Sequence, residues 1–159
     1  MLDIIVAMTK DRVIGKNGRI PWHIKEDMAL FKELTTNNVV IMGRTTWQSL
    51  PDRYRPLPDR INIVVSSTLS SQDGATVCDD IDEAMKVAKT HERGIFCIGG
   101  AQLYKAMLPL ADMLHVSCVN KHYDGDAYFP EVDFSKWREV ESKTFDEFTY
   151  RKYVKDNNL

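Results

Sequence analysis

The chain has 159 residues, of which 43% are hydrophobic and 28% are charged, a balance typical of globular proteins. Its 21 lysines and arginines face 23 aspartates and glutamates, a net charge of -2. This balance argues against a nucleic-acid partner, because phosphate binding needs a basic excess. The length predicts a single domain over residues 1–159, large enough to need no disulfide or metal for stability.

The N-terminal apolar stretch, residues 4–8, is too short for a signal sequence or a membrane span. A cytoplasmic protein with no membrane partner is therefore expected. The three cysteines form no C-x-x-C pair, which favours buried reduced thiols over a disulfide or a redox role. The four histidines lack zinc-ligand spacing, so no metal is expected.

Short apolar, β-branched runs alternate with helical patterns along the chain. The runs with the length of buried strands are residues 2–8, 39–42, 61–66, 95–98 and 114–119. The helical patterns are residues 25–35, 81–90 and 101–108, the second opened by a capping box of Asp80 and Glu83. This alternation predicts an α/β fold with a mostly parallel sheet. Residues 148–153 alternate like a two-faced antiparallel strand added at its edge.

Two irregular stretches are unusually long for a small domain. Residues 9–23 contain Gly15 and Gly18, and residues 51–60 contain three prolines and three arginines. Loops of this length are often lids or binding loops.

One acid lies on the apolar side of the first predicted helix. A helical wheel of residues 25–35 places Asp27 between Leu34 and Phe31, in the middle of the apolar arc. Burial there raises the pKa of a carboxyl, which makes Asp27 a candidate proton donor or ligand anchor. Two structural alternatives remain open: Asp27 caps the helix, or it pairs with Lys32 or an arginine.

Two predicted strands run through glycine directly into a helical pattern. Gly43 follows the second strand, and Gly99 with Gly100 follows the fourth. Glycine permits a sharp turn and a close ligand approach, and the helix start that follows attracts anions. Two such junctions suggest a dinucleotide, although neither carries the G-x-G-x-x-G pattern and each could be an ordinary turn.

The third predicted strand ends in a run of hydroxyl side chains, residues 66–68. Beside Arg44, these hydroxyls could bind a ribose 2′-phosphate, which points to NADPH rather than NADH. The alternative is a polar turn with no ligand.

Eight motifs then occur in order along residues 6–130. They are VAM at 6–8, DRVIG at 11–15, PW at 21–22, Asp27 with FK at 31–32, VIMGRTTW at 40–47, PLP at 56–58 with Arg60, IGGA at 98–101 with Tyr104, and GD at 125–126 with FP at 129–130. In content, order and spacing this set resembles the dihydrofolate reductase family. The resemblance implies a central, mostly parallel twisted sheet of about eight strands, an antiparallel C-terminal edge hairpin and about four flanking helices. It also implies a cofactor-binding half, roughly residues 39–108.

The activity implied is the reduction of 7,8-dihydrofolate to 5,6,7,8-tetrahydrofolate, with hydride from NADPH delivered to C6 and a proton to N5. This reaction supports one-carbon metabolism and thymidylate synthesis. Antifolates such as trimethoprim and methotrexate would be its inhibitors. Family members of this length usually act as monomers.

The resemblance also implies roles for individual residues. The catalytic set would be Asp27, Trp22, Tyr104 and Ser117, where Ser117 replaces the usual threonine. The substrate would contact Ile5, Val6, Asp27, Met28, Phe31, Leu50, Leu57, Arg60, Ile98 and Ser117. The cofactor would contact Ala7, Ile14, Gly15, Gly18, Ile20, Gly43, Arg44, Thr45, Thr46, Ser66, Ser67, Ile98, Gly99, Gly100, Ala101, Gln102, Leu103 and Tyr104.

Within these sets, Arg60 would clamp the glutamate carboxylate of folate, and residues 15–22 would close as a lid. Whether Arg53 or Arg55 also reaches the glutamate tail stays open. A cis peptide is expected between Gly99 and Gly100.

Two other functions are alternatives to the reductase. The pyrimidine reductase of riboflavin synthesis shares fold and cofactor but lacks the pairing of an acid like Asp27 with a clamp like Arg60. A silent NADPH-binding or folate-binding module is disfavoured by the intact acid and by both glycine junctions.

Overall fold

The computed structural model describes residues 1–156, which build one eight-stranded sheet and a separate two-stranded sheet. The strands are β1 (Leu2–Met8), β2 (Val13–Gly15), β3 (Val39–Gly43), β4 (Ile61–Val65), β5 (Ala75–Cys78), β6 (Ile95–Cys97), β7 (Met113–Val119), β8 (Ala127–Tyr128), β9 (Trp137–Thr144) and β10 (Phe148–Lys155). The α-helices are α1 (Lys25–Thr35), α2 (Arg44–Ser49), α3 (Ile81–Lys89) and α4 (Ala101–Met107). Short 3₁₀ turns lie at Asp52–Tyr54, Leu108–Leu110 and Phe134–Lys136.

The order of strands across the large sheet is β5-β4-β3-β6-β1-β7-β10-β9. The first six strands pair in parallel, while β10 pairs antiparallel with both β7 and β9. β2 and β8 form the separate antiparallel pair. The predicted fold class and all five predicted buried strands are confirmed. Strands β2, β5, β8 and β9 were not predicted from local pattern, because they are short or largely exposed and carry no apolar run.

The two faces of the sheet bury different sets of side chains, because successive residues of a strand point to opposite faces. Ile4, Ile41 and Leu114 lie in the core that α3 and α4 cover. Ile5 and Val40 lie on the other face, where Phe31 and Leu34 of α1 pack with them. The second face, covered by α1, is called the α1 face below.

The capping box predicted for α3 is present with a one-residue shift. The Asp80 carboxylate accepts a hydrogen bond from the Glu83 amide at 2.8 Å. The Glu83 carboxylate accepts from the Asp79 amide at 2.9 Å rather than from Asp80.

The three cysteines are unpaired; Cys78 and Cys97 are buried, and Cys118 is half-buried. Burial raises the pKa of the Cys97 thiol to about 12. Within residues 1–156, no cluster of histidine, cysteine and acidic side chains is arranged to hold a metal ion. None of the helices in the same range combines the length and hydropathy that a membrane crossing requires.

Candidate active site

The parallel strands bring the predicted site residues to one edge of the sheet. β1, β3, β4, β6 and β7 all end at that edge, where open α/β sheets commonly bind ligands. Ala7 lies opposite Ser117 in register, near the ends of β1 and β7. The two glycine junctions meet at the ends of β3 and β6, where the Gly43 amide donates to the Gly99 carbonyl at 2.8 Å.

Asp27 is half-buried in the first turn of α1, on the side facing β7. Burial raises the pKa of its carboxyl, and a hydrogen bond from the Ser117 hydroxyl partly opposes that shift. The helix starts at Lys25 with Ile24 at the N-cap, so the capping alternative for Asp27 is wrong. No ion pair within 4 Å involves Asp27 in residues 1–156, which removes the alternative of pairing with Lys32.

An apolar wall extends from Asp27 along the α1 face. It brings together five of the predicted substrate-binding residues: Ile5, Phe31, Leu50, Leu57 and Ile98. Met28, three residues before Phe31 on α1, has 52% of its surface exposed, although it is apolar. Val6 differs, because its side chain lies in the core on the opposite face.

Arg60 closes the far end of this wall. Its Nε donates to the Pro58 carbonyl at 2.9 Å, and its Nη1 donates to the Thr35 hydroxyl at 3.2 Å. Its guanidinium carbon lies 5.8 Å from the centre of the Phe31 ring. Partial burial lowers the pKa of Arg60 and the neighbouring Asp59 opposes this, so the side chain remains a cation at neutral pH.

Sequence reasoning missed two residues that hold Arg60 in place. Thr35 is fully buried and is the hydroxyl partner of the guanidinium. The Asn62 side chain is bonded to the amide and carbonyl of Leu57, at 2.9 and 3.0 Å, and to the carbonyl of Arg60 at 3.1 Å. For Asn62, the available signal was a polar residue inside a buried strand; Thr35, at the end of α1, gave no such signal.

The other two arginines of the 51–60 stretch have partners of their own. Arg55 pairs with Asp52 at 3.1 Å and donates to the Gln48 carbonyl at 3.3 Å. The guanidinium of Arg53 lies 4.9 Å from the centre of the Tyr54 ring.

Gly99 fits its position only because it has no side chain. The peptide to Gly100 is cis, as expected, and Gly99 has a φ of 105°. A Cβ on Gly99 would lie 2.9 Å from the Tyr104 ring. The Tyr104 hydroxyl donates to the Ile5 carbonyl at 2.8 Å, and burial holds its pKa well above the usual range.

A cationic and hydroxyl-bearing patch lies beyond the Gly43 junction. Arg44 donates to the Thr68 hydroxyl at 3.3 Å, and Thr68 lies 3.4 Å from the Ser66 hydroxyl. Ser67 and Thr45 are exposed beside them. Thr68 was not in the predicted cofactor set, although it belongs to the same hydroxyl run.

The remaining predicted cofactor residues line the two junctions. The Thr46 hydroxyl lies 3.6 Å from where a Cβ on Gly100 would stand. Ala101 and Gln102 open α4, with Gln102 exposed, whereas Leu103 is buried in the core on the opposite face. Ile14 also packs against that core.

Residues 15–22 are docked against the segment before β8. The Gly15 carbonyl accepts from the Asp126 amide at 3.0 Å, and the Asn17 amide donates to the Asp126 carboxylate at 3.1 Å. Gly18 has a φ of 77°, and Ile20 is 62% exposed. A cleft of about 510 Å³ separates this segment from residues 122–124, and Asp27 does not line it.

Trp22, at the end of the same segment, is buried. Its ring centre lies 5.2 Å from that of Tyr123. It shares an apolar cluster with Ile24 and Tyr150, against which Ala7 packs. Trp22 therefore connects the segment to the start of α1, five residues before Asp27.

Comparison with known proteins agrees with this geometry. The chain matches the family model for dihydrofolate reductase over residues 1–156. It is 41% identical to the dihydrofolate reductase of Bacillus subtilis over 144 residues, covering 90% of this chain and 83% of that protein. It is 40% identical to the Haemophilus influenzae enzyme of the same name over 154 residues, covering 97% and 90%.

The fold is similar to that of a solved dihydrofolate reductase from Enterococcus faecalis, complexed with NADP(H) and RAB-propyl. The TM-score is 0.89 at 32% sequence identity, and the match covers 99% of this chain and 97% of that one. The chain therefore belongs to the dihydrofolate reductase family, oxidoreductases that reduce dihydrofolate with NADPH.

Proposed function

We propose that this chain binds 7,8-dihydrofolate along the α1 face and NADPH beside it, at the carboxyl edge of the sheet, and reduces the substrate to tetrahydrofolate. The observation that carries this assignment is the order in which three kinds of side chain follow one another along the α1 face. A half-buried acid, Asp27, is followed by an apolar wall and then by the guanidinium of Arg60. Asp27 and Thr35, the partner of Arg60, are eight residues apart, a rise of about 12 Å in a helix.

That order matches the parts of the substrate. A pterin ring offers N–H donors to a carboxylate, the aminobenzoyl group is apolar, and the glutamate ends in carboxylates. Ser117 occupies one acceptor site of the Asp27 carboxylate, whose two oxygens retain further lone pairs for ring donors. Arg60 uses two of its five N–H groups within the chain, which leaves three for a substrate carboxylate.

The residues at the glycine junctions fit NADPH. Gly43 and Gly100 leave room beside the backbone where their strands end, since a Cβ there would meet nothing nearer than 3.8 and 3.6 Å, so a flat ring can approach closely. Arg44, with the hydroxyls of residues 66–68, supplies the donors that a ribose 2′-phosphate needs. These groups lie in the half of the chain proposed to bind cofactor, roughly residues 39–108 of a single domain. When bound, NADPH supplies the hydride that reduces C6.

The reduction of the C6–N5 double bond takes one hydride at C6 and one proton at N5. We assign the control of that proton to Asp27, whose raised pKa suits a group that works near neutrality. Ser117 orients the carboxylate and can hold a water from which the proton reaches N5. Tyr104 is not the proton source, because its hydroxyl is buried, is committed to the Ile5 carbonyl and has a high pKa.

Residues 15–22 are assigned to closing the site, with Ile20 at the exposed tip and buried Trp22 as the fixed end. Exclusion of water beside the reacting atoms strengthens the electrostatic effect of Asp27.

The remaining assignments concern the state of the protein. All proposed site residues come from one chain, which supports activity as a monomer, and sedimentation velocity tests this. The unpaired thiols of Cys78, Cys97 and Cys118 suit a reducing cytoplasm. Antifolates that carry a protonated ring are expected to bind at Asp27, because a cation there pairs with the carboxylate.

One experiment tests the function: the absorbance of NADPH is followed with dihydrofolate present and absent. We expect consumption only with both ligands, and folded protein that consumes none refutes the assignment. Asp27→Asn should lower turnover at neutral pH by about 100-fold or more, and by less in acid, where the substrate is protonated in solution. Asp82→Asn, in the exposed first turn of α3, is the matched control. An unchanged pH profile in the Asp27 variant removes Asp27 from the mechanism.

A further inference from the structure

A buried polar network crosses three strands of the α1 face beside the proposed site. His115, on β7, is 4% exposed. Its Nδ1 lies 2.7 Å from the Tyr150 hydroxyl, and its Nε2 lies 2.8 Å from the Asp3 carboxylate. Tyr150 is on β10 and Asp3 is on β1, so the histidine bridges both neighbours of its own strand.

The chemistry of its two partners determines which nitrogen of the His115 ring donates a hydrogen bond and which accepts one. An ionised carboxylate only accepts, so Nε2 carries the hydrogen that is donated to Asp3. Nδ1 of a neutral ring then accepts from the Tyr150 hydroxyl, whose pKa burial raises to about 12. Every buried polar atom of the network therefore has a partner, and none is left over.

The network lies next to the residues assigned to proton control. His115 and Ser117 are two positions apart on β7, so both side chains point to the α1 face. Tyr150 is the register partner of Ser117 across the β7–β10 pair. The Tyr150 ring leans back along the strand to His115, stacking on it at 6.1 Å between centres.

Tyr150 also supports the chain on both sides of Asp27. Its ring belongs to the apolar cluster that contains Trp22, at the end of the proposed lid, and Ile24, the N-cap of α1. Leu30 and Leu34 of α1 pack against the same cluster. A displacement of Tyr150 therefore moves the surface on which the first turns of α1 rest.

We propose that His115 is a positioning residue for the reduction: by fixing Tyr150 to Asp3 across three strands, it holds the start of α1, and with it Asp27, against Ser117. The inference rests on the proposed function, since it assigns a role in that reaction. His115 contacts neither ligand and acts only through Tyr150.

Breaking the hydrogen bonds of His115 should change the pH dependence of turnover in a defined direction. If the start of α1 relaxes, water reaches Asp27, its desolvation falls and its pKa moves back toward the ordinary value. The pH at which turnover falls by half should then move toward acid. The charged residues opposite in register are Lys152, across from His115 on β10, and Glu141, across from Lys152 on β9. From β6, the centre of the Phe96 ring lies 5.7 Å from that of the His115 ring.

The test compares variants that change one hydrogen bond at a time. Tyr150→Phe removes the hydroxyl and keeps the ring. His115→Leu removes both bonds, whereas His115→Gln offers one acceptor and one donor like the neutral imidazole. Tyr153→Phe is the matched control, because it loses a hydroxyl from the same strand on the opposite face, where the Tyr153 ring packs against Phe134 at 4.9 Å.

We expect Tyr150→Phe and His115→Leu to lower kcat at neutral pH by about three- to tenfold, with an acid shift of the pH midpoint. His115→Gln should recover part of both effects, and Tyr153→Phe should match wild type. Lower melting temperatures with kcat, KM and pH midpoint like those of Tyr153→Phe overturn the inference and leave a structural role. If His115→Leu does not fold, Tyr150→Phe decides. If the inference about His115 fails but the wild type is active and Asp27→Asn is defective, the proposed function still holds. An inactive wild type refutes the proposed function itself.

Discussion

Replacement of Arg60 by leucine should weaken dihydrofolate binding and leave NADPH binding intact. Within residues 1–156 the guanidinium leaves three N–H groups without an intrachain hydrogen bond, enough for a bidentate bond to one substrate carboxylate. Two charge-assisted hydrogen bonds of about 1.5–3 kcal/mol each give an upper range of about 3–6 kcal/mol. Because the side chain is only half-buried, solvent screens these bonds, and about 3 kcal/mol is the reasonable expectation. That is about 100-fold in affinity.

The clamp lies at the far end of the wall from the reacting atoms, so it binds ground state and transition state alike. The KM for dihydrofolate should therefore rise by about 100-fold, while kcat changes little. The assay is NADPH consumption with each ligand varied in turn. Arg60→Lys should fall between wild type and leucine, since it keeps the charge but loses the fork. Arg93→Leu, at an exposed arginine bonded to the Asn37 carbonyl, is the control. Equal losses for both ligands, or an unchanged KM for dihydrofolate, would refute the clamp.

Three further predictions concern stability and cofactor choice. Burial raises the pKa of Asp27 in the folded protein above its unfolded value, so ionisation of this carboxyl lowers the stability of the fold as pH rises from the unfolded to the folded pKa. In thermal melts, Asp27→Asn should therefore raise the melting temperature at neutral pH, and this gain should vanish below about pH 4. Gly99→Ala should lower the unfolding free energy in urea by about 2 kcal/mol or more, because its Cβ meets Tyr104 at a positive φ, whereas Gly18→Ala has open space and should cost about 1 kcal/mol. Arg44→Leu should reduce the preference for NADPH over NADH by about tenfold in paired assays, and a preserved preference would place the 2′-phosphate elsewhere.

Features set by local chain pattern were predictable. Helix α1 has the predicted bounds, Lys25–Thr35, because its periodicity needs no knowledge of the rest of the fold. The same periodicity identified Asp27 as an acid on an apolar face. The exposed strand β9 gave no such signal, since its order comes from pairing with β10 rather than from burial of an apolar run.

Contacts between distant segments could not be predicted in this way. Thr35 and Arg60 are 25 residues apart, and the local sequence around either residue does not indicate their contact. The same holds for Asp3 and His115, which are separated by 112 residues. Such pairs depend on which strands become neighbours, and the order in which β1 lies between β6 and β7 is a property of the whole sheet.

Buried polar side chains nevertheless indicate where the site lies. Among residues 1–156, the buried polar side chains are Thr9, Thr35, Asn62, His115 and Ser117. Four of the five hold parts of the proposed site: Thr9 fixes the turn before the lid, Thr35 and Asn62 fix the Arg60 loop, and Ser117 binds Asp27. The fifth, His115, is bonded to Tyr150 beside the site.

In the core under α3 and α4, the polar groups carried by the buried side chains are the hydroxyl of Tyr104 and the thiols of Cys78 and Cys97. Buried polar groups add less stability than apolar ones of the same size, and they tolerate fewer substitutions because each needs its partner. The concentration of such groups on the α1 face therefore indicates that this face is shaped for ligand binding more than for stability. By the same reasoning, amide exchange should show that α1 and its surroundings open at lower free energy than the core strands β1, β3 and β6.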